Sequence, residues 1–147
     1  MNQPSLFGSE REGSATANID GGSRGNPGPA GYGVRIEQAE GTVVELKASI
    51  GTCTNNVAEY HGLLAALRWA TEHGVASLLV RSDSELLVKQ MRGEYRVKNS
   101  GLQPLYEEAR SLARHIGTVR FEHVRRESNT EADRLANEAM DEGGATP

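Results

Sequence analysis

Cysteine and aromatic residues are scarce in this 147-residue sequence, and long apolar runs are missing from it. Its single cysteine, Cys53, cannot form a disulfide within the chain, which excludes a small secreted scaffold held by disulfides. No run approaches the ~18 apolar residues that cross a bilayer. Residues 1–17 lack the basic-then-apolar layout of a signal peptide. We therefore expect a cytoplasmic, monomeric protein with no membrane span.

Charge of one sign does not dominate the chain, whose formal net charge is −4. Its distribution is uneven: ten Lys and Arg and six Asp and Glu lie between Arg81 and Arg126, so this segment carries +4 and the rest carries −8. A solvated helix surface has the same mixed charge. Composition therefore leaves nucleic-acid binding open.

A length near 150 residues supports one domain with one core. Residues 1–14 are polar and show no periodicity, which predicts a flexible N-terminal tail. Residues 143–147 predict a short C-terminal tail. The domain is expected to occupy residues 15–142.

Hydrophobic periodicity predicts five strands and four helices in the order βββ-α-β-α-α-β-α. Runs of β-branched residues indicate strands, and apolar residues spaced by three and four indicate helices. The predicted strands are 15–19, 31–37, 42–50, 76–81 and 118–123, and the predicted helices are 56–73, 84–91, 105–115 and 130–140. This order predicts an α/β fold with a mixed five-stranded sheet and helices packed on both faces.

Four carboxylates stand where predicted strands end or predicted helices begin: Asp20, Glu59, Asp83 and Asp133. Each alone has an ordinary structural interpretation, as an acid at a helix N-terminus or as a cap. Together they would lie at one edge of the sheet, where α/β folds place their sites. Clustered carboxylates repel one another unless cations neutralise them, so the pattern predicts a Mg²⁺ or Mn²⁺ site rather than a zinc site.

Four sequence blocks in register resemble the signatures of type 1 ribonuclease H. The blocks are IDGGSRGNPGPAGYG at 19–33, TNNVAE at 54–59, RSDS at 81–84 and NTEAD at 129–133. Their order and spacing agree with the family over residues 15 to about 142. The resemblance implies a ribonuclease H-like fold and an endoribonuclease that cleaves the RNA strand of RNA–DNA hybrids, leaving 5′-phosphate and 3′-hydroxyl ends.

The resemblance also implies two Mg²⁺ ions, with Mn²⁺ as a substitute, held by the four carboxylates. Asp20 would bridge both ions, and Asp133 would complete the ion that holds the attacking water. Glu59 and Asp83 would complete the ion that faces the leaving 3′-oxygen. Two such ions stabilise the attacking and leaving oxygens of a phosphoryl transfer.

The glycine-rich segment at residues 21–31, here called the glycine turn, and the start of the first helix carry neutral side chains that are similar to the family's substrate contacts. By this resemblance Asn26, Asn55 and Asn56 would meet 2′-hydroxyls and base edges in the minor groove of the hybrid. Thr54 would help to hold a phosphate of the DNA strand. A local interpretation stays open, because Asn is common in turns and Thr54 or Asn55 can cap the helix.

The chain departs from the family's pattern at three places. Many members carry a histidine in the loop before the last Asp, where Arg126 stands here. Arginine cannot act as a general base and would act on phosphate charge. Residues 93–99 replace a tryptophan-rich basic protrusion, and the only tryptophan, Trp69, is expected in the core. Thr52 stands where some members have an arginine that grips the DNA strand.

The N-terminal tail contains Q-x-S-L-F at residues 3–7, which resembles the peptide by which bacterial replication proteins dock on the sliding clamp. A disordered segment can offer Leu6 and Phe7 to an apolar pocket, with Gln3 as a polar anchor. Five-residue matches also arise by chance, and Leu6 and Phe7 could instead fold back onto the sheet.

Two other functions stay open at this point. One is a non-catalytic module that has the same fold and binds RNA–DNA hybrids. The four intact acids argue against this function, because a binding module has no need of charges that repel one another. The other is a related nuclease that acts on other RNA substrates, such as double-stranded RNA or single strands. A nucleotide-binding interpretation of the glycine turn fails, because no GK[ST] is present and no helix follows directly.

Overall fold

In residues 13–144, which the computed structural model describes, five strands and four α-helices follow one another in the predicted order. The strands are β1 (Ser14–Ser23), β2 (Gly28–Gln38), β3 (Val43–Cys53), β4 (Ser77–Ser82) and β5 (Thr118–His123). The helices are α1 (Asn55–Glu72), α2 (Glu85–Met91), α3 (Gln103–Ile116) and α4 (Thr130–Gly144), and a 3₁₀ turn, Arg126–Ser128, precedes α4.

The sheet is mixed, as the sequence predicts, with the strand order β3-β2-β1-β4-β5. The first three strands form an antiparallel meander, whereas β4 runs parallel to both β1 and β5. The pairing of β1 with β4 begins at Ser14–Ser77 and ends at Ile19–Ser82. The residues that follow these two paired ends therefore lie at the same edge of the sheet, one still within β1 and the other just after β4.

Helices cover both faces of the sheet, which confirms the predicted architecture. On β2, a Cβ added at Gly33 would lie 2.5 Å from the Leu135 Cβ of α4. The neighbouring Tyr32 faces α1, where its Cβ lies 3.3 Å from the Cβ position of Gly62. Successive residues of a strand point to opposite faces, so α1 and α4 lie on opposite sides. Trp69 packs into the core on the α1 side and is 9% exposed, as expected.

Both ends of the described region differ slightly from the predicted domain limits. Strand β1 begins at Ser14, and the carbonyl of Gly13 accepts hydrogen bonds from the N–H groups of Ala76 and Ser77. Helix α4 continues to Gly144, two residues beyond the predicted boundary. It continues because its last turns pack on β3: a Cβ at Gly143 would lie 2.8 Å from Ser49 Cβ.

The clamp-like residues Gln3, Leu6 and Phe7 lie outside the described residues. Between residues 13 and 144, none of the helices combines the length and the apolar character needed to cross a membrane.

Candidate active site

Four different elements bring the four predicted carboxylates to one edge of the sheet. Asp20 lies on β1, one residue beyond the end of its pairing with β4, and Asp83 directly follows β4. Glu59 lies just past the first turn of α1, since this helix begins at Asn55, and Asp133 lies in the first turn of α4. All four side chains line one pocket of about 600 Å³.

A glycine beside Asp20 allows α1 to approach β1 closely. A Cβ at Gly21 would lie 2.5 Å from the backbone carbonyl of Ala58 and 2.6 Å from the backbone nitrogen of Glu59. No real Cβ tolerates such distances, so only glycine fits at this contact. The Asp-Gly-Gly sequence therefore lets the backbones that carry Asp20 and Glu59 touch.

Burial and neighbouring negative charges raise the pKa values of carboxyl groups in this pocket. Burial, the charge of Asp83 and a hydrogen bond with Asp133 raise the pKa of Asp20 to about 8, although the Gly21 N–H donates to Asp20 Oδ1 at 2.9 Å. Burial raises the pKa of Glu59 to about 7, even though a hydrogen bond with Ser84 acts in the lowering direction. The Asp20 carboxyl therefore keeps its proton to a higher pH than a free aspartate does.

Arg126 lies close to one of the four carboxylates, whereas Arg125, which also lines the pocket, pairs with Glu127. Arg126 Nη2 lies 3.9 Å from Asp133 Oδ1. Burial raises the pKa of Asp83, and the positive charge of Arg126 opposes that rise. Arg125 Nη1 instead lies 4.0 Å from Glu127 Oε1. The two adjacent arginines thus have different acidic partners in the structure, a difference that no local pattern in the sequence predicts.

The donor set fits hard divalent cations, although no three His, Cys, Asp or Glu side chains among residues 13–144 are already arranged to hold a metal ion. The pocket offers four carboxylates whose oxygens are the ligands that Mg²⁺ and Mn²⁺ prefer. Three of these carboxyls have raised pKa values, which a nearby cation would lower. The four carboxylates are therefore a candidate site for divalent cations, because their oxygens are suitable ligands.

A hydrogen bond joins two of the predicted substrate-contact residues, Asn26 and Asn55, at the rim of the pocket. Asn26 Oδ1 accepts the N–H of Asn55 over 3.0 Å, and Asn55 Oδ1 accepts the N–H of Ser23 over 2.8 Å. Thr54 caps α1, since its hydroxyl accepts the Val57 N–H. Asn55 lines the pocket itself, whereas Asn26, Thr54 and Asn56 are exposed residues beside it.

Several side chains that the sequence interpretation did not select also line the pocket, and three of them are polar groups close to the carboxylates or to the glycine turn. Arg24 lies in the glycine turn and pairs with Asp141 over 2.7 Å. Asn137, one turn after Asp133 on α4, donates to the Asp133 carbonyl over 2.8 Å. His123 is exposed at the end of β5 and lines the same pocket. The i+4 spacing from Asp133 was the available signal for Asn137.

Comparison with known proteins agrees with this geometry. Residues 18–139 match the profile of the family described as Reverse transcriptase-like. The ribonuclease HI of Halobacterium salinarum is 41% identical over 134 residues, which cover 90% of this chain and 67% of that protein. The chain belongs to the ribonuclease H family.

Other members of the ribonuclease H family are also similar. The bifunctional protein Rv2228c of Mycobacterium tuberculosis is 51% identical over 124 residues, which cover 83% of this chain but only 34% of that protein. The N-terminal ribonuclease H domain of Rv2228c superposes with a TM-score of 0.86 at 48% identity, covering 90% of this chain and 96% of that one. The structure of LC11-RNase H1 in complex with an RNA/DNA hybrid gives a TM-score of 0.82 at 41% identity, covering 87% and 97%.

The segment between α2 and α3, where the sequence analysis predicts that a basic protrusion is replaced, is irregular in this ribonuclease H chain. Helix α2 ends at Met91 and α3 begins at Gln103, and the structure forms no helix in the intervening residues 92–102. That residues 93–99 replace a basic protrusion stays a prediction.

Proposed function

We propose that this chain is an endoribonuclease that hydrolyses the RNA strand of RNA–DNA hybrids. The observation that carries the proposal is the convergence of Asp20, Glu59, Asp83 and Asp133 on one pocket of a ribonuclease H fold. The named relatives support it, since one is a ribonuclease HI and another is described in complex with an RNA/DNA hybrid. We assign the activity to residues 15–142, which contain the family match.

The four carboxylates would hold two Mg²⁺ ions, for which Mn²⁺ could substitute. Asp20 would be shared by both ions, with Asp133 on one of them and Glu59 and Asp83 on the other. Bound divalent cations lower the pKa of a coordinated water and neutralise charge on a leaving oxygen, which would give 5′-phosphate and 3′-hydroxyl products.

Several residues of the chain would help this site to bind a negatively charged nucleic acid. Asp20 gives up the proton that it shares with Asp133 when positive charge enters the pocket. Arg126 offsets phosphate charge beside Asp133. We assign recognition of 2′-hydroxyls to Asn26, Asn55 and Asn56, because amides both donate and accept, and contact with a DNA-strand phosphate to Thr54.

Cleavage of a labelled hybrid, compared with an RNA duplex, a DNA duplex and single strands, tests this proposal. We expect cuts only in the RNA strand of the hybrid, with Mg²⁺ or Mn²⁺ and not with a chelator. End analysis should give 5′-phosphates and 3′-hydroxyls. Hybrid binding without cleavage in any cation would indicate a binding module, and equal cleavage of duplex RNA would indicate a broader nuclease.

Arg126→Ala should lower kcat on the hybrid by about tenfold, equivalent to about 1.4 kcal/mol of transition-state stabilisation. Activity should persist, because bound cations carry the main charge stabilisation. Arg125→Ala is the matched control, since its guanidinium pairs with Glu127, and it should change kcat less. Steady-state kinetics of both variants measures the difference. Equal and negligible losses would mean that this loop is only a solvated turn.

We also propose that residues 3–7 dock on the sliding clamp of the same organism, which would bring the enzyme to replicating DNA. The full chain should bind the clamp with a Kd on the order of 10 μM in an anisotropy titration. The double variant Leu6→Ala/Phe7→Ala should lose binding, and Ser9→Ala should keep it. Wild-type affinity in the double variant would refute the docking mode.

A further inference from the structure

A buried amide joins the two elements that carry Asp20 and Asp133. Asn129 immediately precedes α4 and is 1% exposed. Its Nδ2 donates to the backbone carbonyl of Ile19 over 2.9 Å, and its Oδ1 accepts a hydrogen bond from Asn18 Nδ2 over 3.0 Å. The side chain therefore reaches across from the start of α4 to β1.

The same residue is linked closely to both carboxylates. Ile19 directly precedes Asp20 in β1. The backbone carbonyl of Asn129 accepts the N–H of Asp133 over 3.0 Å, in the first turn of α4. Two consecutive hydrogen bonds therefore connect the backbone of Asp133, through Asn129, to the peptide unit that precedes Asp20.

The position of this link coincides with the end of the sheet's parallel pairing. The pairing of β1 with β4 stops at Ile19–Ser82, and Asn129 binds the carbonyl of Ile19 itself. The side chain thus holds the start of α4 against β1 where β1 parts from β4. Removal of the amide would leave a buried backbone carbonyl without this partner, and the start of α4 would relax away from β1.

We propose that Asn129 is a positioning residue, which fixes the separation of the Asp20 and Asp133 carboxylates and thereby sets the affinity of the site for divalent cations. This inference rests on the proposed function, because it assumes that both carboxylates bind the cations. Residues that orient metal ligands without touching the metal themselves typically contribute a factor of about 10 to 100 in metal affinity or activity. Asn18 supports the arrangement by orienting the Asn129 amide.

Gln90 provides a matched control elsewhere in the core. It is the other buried amide among the described residues, 5% exposed, and its Oε1 accepts a hydrogen bond from the Tyr60 hydroxyl over 2.7 Å. Neither Gln90 nor Tyr60 lines the carboxylate pocket. Gln90→Ala therefore removes a buried amide hydrogen bond without touching the proposed link.

Calorimetric titration of the full chain with Mn²⁺, and with Mg²⁺, tests the proposal. We expect Asn129→Ala to weaken cation binding by about 10-fold or more, and Asn18→Ala to weaken it less. Gln90→Ala should lower Tm and keep the wild-type cation affinity. At saturating cation, the KM of Asn129→Ala for the hybrid should stay within about twofold, whereas kcat falls.

Wild-type cation affinity in a folded Asn129→Ala protein, or a loss no larger than that of Gln90→Ala, would overturn the inference. If Asn129→Ala does not fold, Asn18→Ala decides, because a wild-type affinity in that variant contradicts the proposed link. These outcomes differ from failure of the proposed function itself, in which the wild-type chain binds no divalent cation and cuts no hybrid.

Discussion

Asp20→Asn should abolish hydrolysis of RNA–DNA hybrids, lowering the single-turnover rate in Mg²⁺ by about 10³-fold or more. Loss of a single preorganised electrostatic group already costs about 10²- to 10³-fold, and Asp20 is assigned to both cations. Glu108→Gln is the matched control, because it removes the same charge from an exposed carboxylate that pairs with Arg68, and neither residue lines the pocket. It should keep near-wild-type activity. Near-wild-type activity of Asp20→Asn would refute the assignment of the carboxylates.

The same substitution should stabilise the fold in the presence of a chelator. Burial, first of all, raises the pKa of Asp20 from 3.8 to about 8. A carboxyl with a raised folded-state pKa lowers stability progressively as pH rises from its unfolded value to its folded value. In the wild type this loss therefore develops between about pH 4 and pH 8, and it amounts to a few kcal/mol at most. The asparagine variant lacks it.

Urea denaturation at two pH values checks this expectation. At pH 4 the two proteins should have similar free energies of unfolding, since the loss has hardly begun so close to the unfolded-state pKa of 3.8. At pH 7.5 Asp20→Asn should be more stable by about 2 kcal/mol. An equal difference at both pH values, or a less stable variant at pH 7.5, would contradict the electrostatic origin of the effect.

Gly21→Ala should destabilise the protein by about 3 kcal/mol and also lower its activity. The added Cβ would lie 2.5 Å from the Ala58 carbonyl group, so α1 must move away from β1. That movement carries Glu59 away from Asp20, which explains the expected loss of kcat on the hybrid. Urea denaturation and hybrid kinetics together measure both effects.

Gly22→Ala is the matched control for this substitution. Its Cβ would meet the flexible end of Met140 at 3.4 Å and Asn55 Oδ1 at 3.7 Å, which are ordinary side-chain contacts, so α1 need not move. We expect a change of less than about 1 kcal/mol. If both alanine variants behave alike, the close approach of α1 to β1 is not what requires glycine at position 21.

Local pattern predicts most of the fold of this chain. Alternation and three-to-four spacing depend on neighbours in the sequence, so they locate elements such as α1 and β4 without knowledge of their partners. The spacing of Asp20, Glu59, Asp83 and Asp133 within the four sequence blocks indicates the candidate site. The capping of α1 by Thr54 is also a local interaction, and the structure confirms it.

Contacts between distant residues account for what the sequence interpretation missed. Arg24 pairs with Asp141 across 117 positions, and α4 runs on to Gly144 because β3 supports its last turns. Neither contact produces a periodic pattern in the sequence, since each depends on how α4 packs against the sheet.

The sequence by itself determined which residues form strands and helices and which carboxylates belong together, because both follow from periodicity and motif spacing. Only the tertiary structure decided how these groups act on one another. Asp20 retains a proton because the fold buries it beside Asp83 and Asp133. Asn129 turns inward because the carbonyl of Ile19, 110 positions away, lies within hydrogen-bond reach. Burial and long-range hydrogen bonds exist only once the chain has packed, so no local pattern encodes them.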